Sequence, residues 1–322
     1  VSHYKLIREV LKYNPPIVDQ YIEPKVLVEG SRLFLFGSTG IGKSILAQNA
    51  AFSLAKAVPW LGLKVPKPRT TLLIQGEIPE DEFYLRSHVM AEAYGVNEDD
   101  ESSPLYLWHN MDLQFTTKKG YKEICGAIED TGCDVLIVDP LDKIMGGSAS
   151  NEEDSIRARD VFDRLIADYG IAFILIHNSR QGMVSDGRKV NFGLDEARGS
   201  TILTQNWPDV SGQLIDKGDG QVLLKWEKTR FGPLDNDIKM VLNGDGLLMQ
   251  TESAPKEILL GMMGKDAIGA KELKEKVGVV LGVSVRSVER YIEALISERR
   301  IKAYKNPKRR NEVLYMRIDW ED

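Results

Sequence analysis

Gly37, Ser38, Thr39, Gly40, Ile41, Gly42, Lys43 and Ser44 run consecutively, and their types and spacing are those of a phosphate cradle. Glycines at these spacings let backbone N–H groups turn inward around a chain of phosphates, and a helix that follows adds the favourable end of its dipole. Lys43 then supplies a point charge for the outer phosphates, the Ser44 hydroxyl is placed to ligate Mg²⁺, and Ile45 carries the cradle into the helix. Two flanking patterns give the motif its meaning. The apolar run Leu33-Phe34-Leu35-Phe36 precedes it as a strand, and residues 45–58 follow with good helix formers. A glycine-rich turn matching by chance would have neither neighbour. The chain is therefore expected to bind a nucleoside triphosphate, with ATP and Mg²⁺ as cofactors.

Two acidic residues stand where such a site needs them. Val135-Leu136-Ile137-Val138 ends in Asp139, four apolar residues and a carboxylate, the Walker B pattern that brings an acid near Mg²⁺. A strand ending in Asp is common by itself; about a hundred residues after a P-loop it is specific. Thr70 to Gln75 reads as a buried strand ending at Gly76-Glu77, which sets Glu77 at the strand edge where open α/β sheets bind ligands. A further buried strand over 171–176 ends in His177-Asn178-Ser179-Arg180. His177 at that edge either senses the terminal phosphate or is simply a satisfied polar residue. Residues 181–196, with Gly182, Gly187, Gly193, Arg188 and Lys189, read as a mobile, positively charged loop.

These positions require a sheet of apolar strands alternating with helices. Helices are expected near 79–94, 118–129 and 152–169, a strand near 105–108, and a flexible loop at 146–151. From Val210 the period becomes that of strands. Residues 211–215 and 222–226 form a hairpin about Gly218 and Gly220, and strands at 238–242 and 247–250 follow. The second hairpin strand runs into Lys228-Thr229-Arg230-Phe231-Gly232. At the other end, residues 1–25 form a short amphipathic start stopped by Asn14-Pro15-Pro16. That start is either an arm on a neighbouring subunit or, preferably, a strap on its own body.

Composition sets the outer limits. At 322 residues, with 43% hydrophobic and 28% charged residues, the chain suits two domains of an ordinary globular protein. No apolar run has the length of a membrane span, and no signal-peptide pattern opens the chain. Val1 rather than Met fits a processed or shortened start. Cys125 and Cys133 lack metal-ligand spacing and are expected to be reduced thiols, which suits a cytoplasmic setting. The net charge of −6 is uneven: residues 254–322 carry +4 and the rest −10. A basic tail on an acidic body points to a polyanion meeting the tail.

That tail reads as three helices and a hairpin. In the third helix, Val285, Val288, Ile292, Leu295 and Ile296 share one face while Arg286, Ser287 and Arg290 lie opposite. Strands at 300–304 and 312–318 flank the basic turn holding Lys308, Arg309 and Arg310. The pattern is that of a winged helix-turn-helix with 284–298 as recognition helix and 305–311 as wing tip. Seven Lys/Arg and no acid between 299 and 310 favour DNA as its partner. The alternative is a protein-docking winged helix with a solvated basic turn.

The glycine-rich loop, Glu77, Asp139, the strand end at His177 and Lys228-x-Arg230-x-Gly232 together resemble the RecA fold over about residues 26–250. Within that fold they resemble the hexameric helicases of the DnaB-like superfamily, especially the plasmid RepA type. The resemblance implies an α/β, RecA-like P-loop core with a mostly parallel sheet at 26–252, flanked by the arm or strap at 1–25 and the winged-helix domain at 254–322 that the residue pattern suggests. It implies that Gly37, Thr39, Gly40, Gly42, Lys43 and Ser44 hold the triphosphate and Mg²⁺, that Asp139 holds Mg²⁺ through water, and that Glu77 polarises the attacking water. His177, or Asn178 beside it, would report the γ-phosphate to DNA loops. Lys228 and Arg230 would enter a neighbour's site as piston and arginine finger. The segments after Asp139 and His177, with Arg180, Arg188 and Lys189, would face single-stranded DNA in the central channel of a homo-oligomer, as a hexamer does. Arg198-Gly199-Ser200 is also similar to the RepA type. Two departures bear on unwinding: the chain lacks a primase-binding domain of the DnaB kind, and it carries a winged helix that minimal RepA does not. A non-motor DNA-bound ATPase switch is the alternative, and a small-molecule phosphotransferase is disfavoured because no lid or nucleophile pocket is visible.

Overall fold

A computed structural model describes residues 5–14, 18–98, 100, 103–179, 184–185, 188–189, 197, 200–218, 220–234, 237–242, 248–250, 259–260, 263, 267–281, 285–297, 299–306 and 312–318. In chain order these carry α1 (Ile7–Val10), β1 (Gln20–Ile22), β2 (Leu27–Val28), β3 (Arg32–Gly37), α2 (Lys43–Lys56), β4 (Thr71–Gln75), α3 (Glu80–Ala93), β5 (Leu105–His109) and α4 (Lys118–Thr131). Next come β6 (Val135–Asp139), α5 (Leu141–Ile144), α6 (Glu152–Tyr169), β7 (Ala172–Asn178), β8 (Val184–Ser185) and β9 (Arg188–Lys189). A π-helical turn, Ile202–Asn206, leads to β10 (Val210–Gly218), β11 (Gln221–Thr229), β12 (Ile238–Leu242) and β13 (Leu248–Gln250). The chain closes with β14 (Ile268–Gly269), α7 (Ala270–Leu281), α8 (Val285–Ser297), β15 (Ile301–Lys305) and β16 (Val313–Arg317).

Among the described residues nine strands form one sheet in the order β13-β12-β11-β10-β3-β7-β6-β4-β5. The block from β10 to β5 is parallel throughout, and β10 to β13 continue it as an antiparallel meander. Parallel strands buried on both faces read as unbroken apolar runs, and 33–36, 72–74, 135–138 and 171–176 are such runs. Their alternate residues go to two different cores. Leu33, Leu35, Leu73, Val135, Ile137, Ala172, Ile174 and Ile176 pack with α2 on one face. Phe34, Phe36, Leu72, Ile74, Leu136, Val138, Ile171, Phe173 and Leu175 pack with α4, α5 and α6 on the other. The small residues of α2 (Ala47, Ala50, Ala51, Ala55) let it lie close to the sheet, and all are buried.

The helices begin and end where local chemistry says they should. The Asn151 side chain accepts from the Asp154 N–H at 3.0 Å and caps α6, whose first turn is acidic as the helix dipole favours. Thr117 caps α4 in the same way, through the Gly120 N–H at 3.1 Å.

The two ends of the chain add to the expected plan. Tyr21 and Ile22 of the expected 1–25 segment pack into the α2-side core. Residues 5–14 are exposed throughout, including Leu6, Ile7, Val10 and Leu11, while β1 and β2 pair antiparallel just beyond them. In the tail, the short strand β14 pairs with β16 and makes a third strand beside the expected hairpin. Of the expected helix over 256–263, residues 259 and 260 are described as helical, and the rest lies outside the described residues apart from Met263. Leu259, Leu260, Leu273, Val277, Val288, Ile292, Leu295 and Ile301 form a separate small core that also takes in Val241 of β12. No described helix is long and apolar enough to cross a membrane.

Candidate functional site

β3 delivers the chain to Gly37, and α2 begins at Lys43, so residues 38–42 form the turn between sheet and helix. Gly40 and Gly42 have φ of +80° and +96°, a backbone region open to glycine and costly for residues with a Cβ. Gly42 occupies the N-cap of α2 without any side-chain cap, which leaves the first N–H groups of the helix for an anion. Lys43 is buried, and its Nζ donates to the Ser38 carbonyl at 2.8 Å across the loop. Burial pulls the Lys43 ammonium below its ordinary range, and the nearby Asp139, Glu77 and Asp142 charges oppose that pull.

The period of two in the strands decides which polar residues join this loop. Asp139 continues the parity of Val135 and Ile137, and Gln75 that of Leu73, so both side chains emerge on the α2 face. Their register pairs Gln75 with Asp139, and Gln75 Nε2 donates to Asp139 Oδ2 at 2.8 Å. Gln75 Oε1 accepts from the Glu77 N–H at 2.6 Å, so one buried amide holds both the Walker B carboxylate and the turn that carries Glu77. Sequence reading missed Gln75; its signal was a polar residue closing an otherwise apolar strand. Asp139 is fully enclosed, and burial pushes its carboxyl up to about 6, against the pull of the Ser44 hydroxyl, Lys43 and Gln75.

Thr39, Gly40, Gly42, Lys43, Ser44, Ile45, Glu77, Asp139, Pro140 and Asn178 line one cavity of about 380 Å³, walled by Arg86, Val89 and Met90 of α3. The structure thus brings together the phosphate loop, both acids and the end of β7. It also separates two neighbours. Asn178 has the parity of Ala172, Ile174 and Ile176 and faces the cavity. His177 has the parity of Phe173 and Leu175 and lies on the opposite face, fully buried, with its ring 5.6 Å from that of Phe34. Of the two expected γ-phosphate reporters, Asn178 is the one at the phosphate cavity.

Lys228 and Arg230 lie at the other edge of the sheet. β11 runs antiparallel to β10, so Thr229 pairs with Val210, which itself pairs with Leu33 near the start of β3. Five residues of β3, about 17 Å of strand, separate that edge from the phosphate loop. There Lys228 Nζ donates to the Gln205 and Asn206 carbonyls at 2.5 and 3.3 Å. Arg230 donates to Asp209 Oδ1 at 3.3 Å and to the Asn206 carbonyl. Burial and the Arg230 charge bring Lys228 down to about 8. Among the nucleic-acid candidates, Arg180, Lys308, Arg309 and Arg310 lie outside the described residues, as does Arg198. The backbones of Arg188 and Lys189 are in β9 and those of Arg286 and Arg290 in α8, and their side chains lie outside the described residues.

The donor set suits a hard, oxygen-preferring cation: a hydroxyl and a buried carboxylate already bonded to each other beside a phosphate loop. Ser44 and Asp139 would hold Mg²⁺, which supplies neutralisation of charge on the phosphate oxygens. No group of three or more His, Cys, Asp or Glu suited to a metal occurs among the described residues.

Burial of Asp139 has a cost that can be measured. With its pKa at about 6 against an ordinary 3.8, the folded protein keeps a proton that the unfolded chain releases between those values. The penalty is absent below about pH 4 and complete above about pH 6, at roughly 3 kcal/mol. Asp139→Asn keeps an acceptor for Gln75 and removes the charge. Its melting temperature in EDTA should exceed the parent's by several degrees at pH 7.5, with the difference narrowing through pH 5 and closing by about pH 3.5. Equal melting at both pH values would show that Asp139 carries no buried-charge cost.

A sequence model of the AAA domain family, AAA_25, matches residues 5–183. Among solved structures, the chain is similar to one described as the RadB recombinase, at 15% identity and a TM-score of 0.47, over 70% of this chain and 93% of that one. No curated protein matches. The match covers the whole phosphate loop, Glu77, Asp139 and the end of β7: the chain belongs to the AAA domain family, with its P-loop set in an α/β core.

Proposed function

We propose that the chain is a ring-forming, DNA-dependent ATPase that couples hydrolysis of Mg–ATP to movement on DNA. The resemblance to plasmid RepA-type helicases suggests a replicative helicase of a plasmid, phage or integrated element. The observation that carries this reading is the division of cationic and acidic groups between two edges of one sheet. Lys228 and Arg230 are about 17 Å of strand from their own phosphate loop, out of reach of a nucleotide held there. A head-to-tail neighbour brings the two edges together, and such heterologous contacts close into rings when the rotation permits. Arg230 then stabilises charge developing on the transferred phosphoryl group, Lys43 and the loop N–H groups hold the phosphates, and Asn178 lies beside the γ-phosphate. Glu77 orients the attacking water, a general-base role worth about 10²–10⁴-fold. Glu77→Gln should bind nucleotide as the parent does and lose hydrolysis by that factor, and a near-parental rate would move the base elsewhere.

A second reading, the non-motor ATPase switch, is favoured by the bonds that Arg230 and Lys228 make within their own chain. Mixing separates the two. Lys43→Ala and Arg230→Ala are each expected to be inactive, because a trans finger is worth about 10³–10⁵-fold. Combined from dissociated protein, they should partly recover activity at interfaces that pair an intact loop with an intact finger. Full activity in dilute monomeric protein, with no recovery on mixing, would favour the switch.

The tail is proposed as a winged helix-turn-helix domain at 254–322 that adds duplex affinity through Arg286, Arg290, Lys308, Arg309 and Arg310. Its support is the order α7, α8 and hairpin around a separate core, with Lys302 and Lys305 exposed on the same hairpin. Because Val241 packs into that core, point variants test the tail more cleanly than truncation. Replacing Lys308, Arg309 and Arg310 together by Gln should lower the slope of log affinity against log salt by about 2–3 if each neutralises one phosphate. An unchanged slope would indicate a protein-docking role.

A further inference from the structure

On the face of the sheet away from the phosphate loop, α5 brings Asp142 to 4.0 Å from His177, Oδ1 to Nδ1. His177 is fully buried, and Asp142 Oδ1 is buried as well and accepts no hydrogen bond among the described residues. The two side chains line a cavity of about 200 Å³ whose remaining wall is Gly147, Ser148, Ala149 and Ser150. That loop is pinned at several points. The Ser148 N–H donates to Asp154 Oδ2 at 2.8 Å, and the Ala149 carbonyl accepts from Ser155 Oγ at 3.1 Å and from the Ser200 N–H at 2.7 Å. The loop after β6 and the segment after β7 therefore meet at Ala149. Each partner also has a neighbour in the phosphate cavity: Pro140, two residues before Asp142, and Asn178, next to His177, both line it.

We propose that Asp142 is a positioning residue that couples occupancy of the phosphate cavity to the loop at 146–151 through His177. The separation of 4.0 Å is within ionic reach and beyond a hydrogen bond, and rotation of one carboxylate closes it. A triphosphate that fills the cavity presses on Pro140 and Asn178 together, and so shifts α5 and the end of β7 against each other and closes Asp142 on His177. The change then bears on the wall formed by residues 147–150 and, through Ala149, on Ser200. Two arrangements of one carboxylate, each favoured by a different occupant of the cavity, are what a ligand needs to shift a population. The inference rests on the ATPase reading and adds the residue through which that site acts on its loops.

The test compares the parent, Asp142→Asn and Asp142→Ala as full-length proteins. The probes are a slowly hydrolysed Mg–ATP analogue and single-stranded oligothymidylate. In the parent, the analogue should change hydrogen exchange over 146–151, and the oligonucleotide should raise kcat. Both variants should bind the analogue within about threefold of the parent, because Asp142 does not line the phosphate cavity. Each should lose the exchange response, and stimulation should fall by about fivefold or more, within the range that coupling residues command. If Asp142→Ala does not fold, the isosteric Asn variant carries the test alone. A purely structural Asp142 would lower the melting temperature and leave the response intact. Parent-like exchange and stimulation in Asp142→Asn, or a parent loop indifferent to the analogue, would overturn the proposal and leave the ATPase reading standing. A parent that neither binds nor hydrolyses ATP would instead overturn the ATPase reading.

Discussion

The pleat of the parallel strands is the constraint on which the site depends. Successive side chains leave a strand on opposite faces, and both faces here are buried, so no residue of β3, β4, β6 or β7 can change sides without moving a whole apolar set. That is why Gln75, Asp139 and Asn178 meet beside Lys43 while His177, one residue from Asn178, is on the other side of the sheet. A slip of one residue in β7 would exchange the two and bury Phe173 against the helix of small residues. The site is therefore as rigid as the two cores that enclose it. Burial between those cores is also what raises the Asp139 pKa, because it removes the carboxylate from water.

The same sheet accounts for the split between the two edges. Parallel strands joined through helices send every strand end, and hence every loop from a strand into a helix, to one edge. The chain reaches the other edge with functional residues only by turning back, as the antiparallel β11 does after β10. Arg32 and Asp209 mark that far edge: the Arg32 N–H donates to Asp209 Oδ2 at 3.1 Å, and Arg32 also pairs with Asp163 of α6 at 3.0 Å. The Trp207 indole N–H joins Asp163 at 2.7 Å, which fastens the π-helical turn to α6. Lys228 and Arg230 are thus mounted on a braced edge and not on a free loop.

Much of this was legible in the sequence, for reasons that differ by residue. Apolar runs of four to six residues identified the central strands, because a buried parallel strand has no polar face to disguise it. The helix α6 followed from the helix formers over 152–169 after a glycine- and serine-rich loop, and the run from Gly37 to Ser44 read directly as a loop because its function requires particular backbone angles. What stayed hidden depends on contacts between distant segments. Strand parity says that His177 and Asn178 oppose each other, but not which of them shares a face with α2. Gln75 and Asp142 gain their importance from partners 64 and 35 residues away. The strand β14, two residues long, carries no periodicity to read. Tyr21 and Ile22 enter the core from a strand of three, too short to show a period in the sequence.

The bonds of Arg230 within its own chain look at first like an obstacle to a trans role, and magnitudes decide the matter. Its side chain is 46% exposed, and an ion pair so open to water contributes about 0–1 kcal/mol. Asp209 is the buried partner, at 11% exposure, and it does not depend on Arg230 alone, since Arg32 serves it through both the backbone N–H and the guanidinium at 3.6 Å. Releasing Arg230 therefore leaves no buried carboxylate unpaired, the outcome that would be costly. It also relieves Lys228, whose ammonium is disfavoured by burial and by the Arg230 charge. A phosphate offered by a neighbour forms charge-assisted bonds with the guanidinium, which are stronger than the exposed contacts it leaves. The contacts at Asp209 and Asn206 are in that sense a resting position that costs little to leave, as the proposed trans role requires.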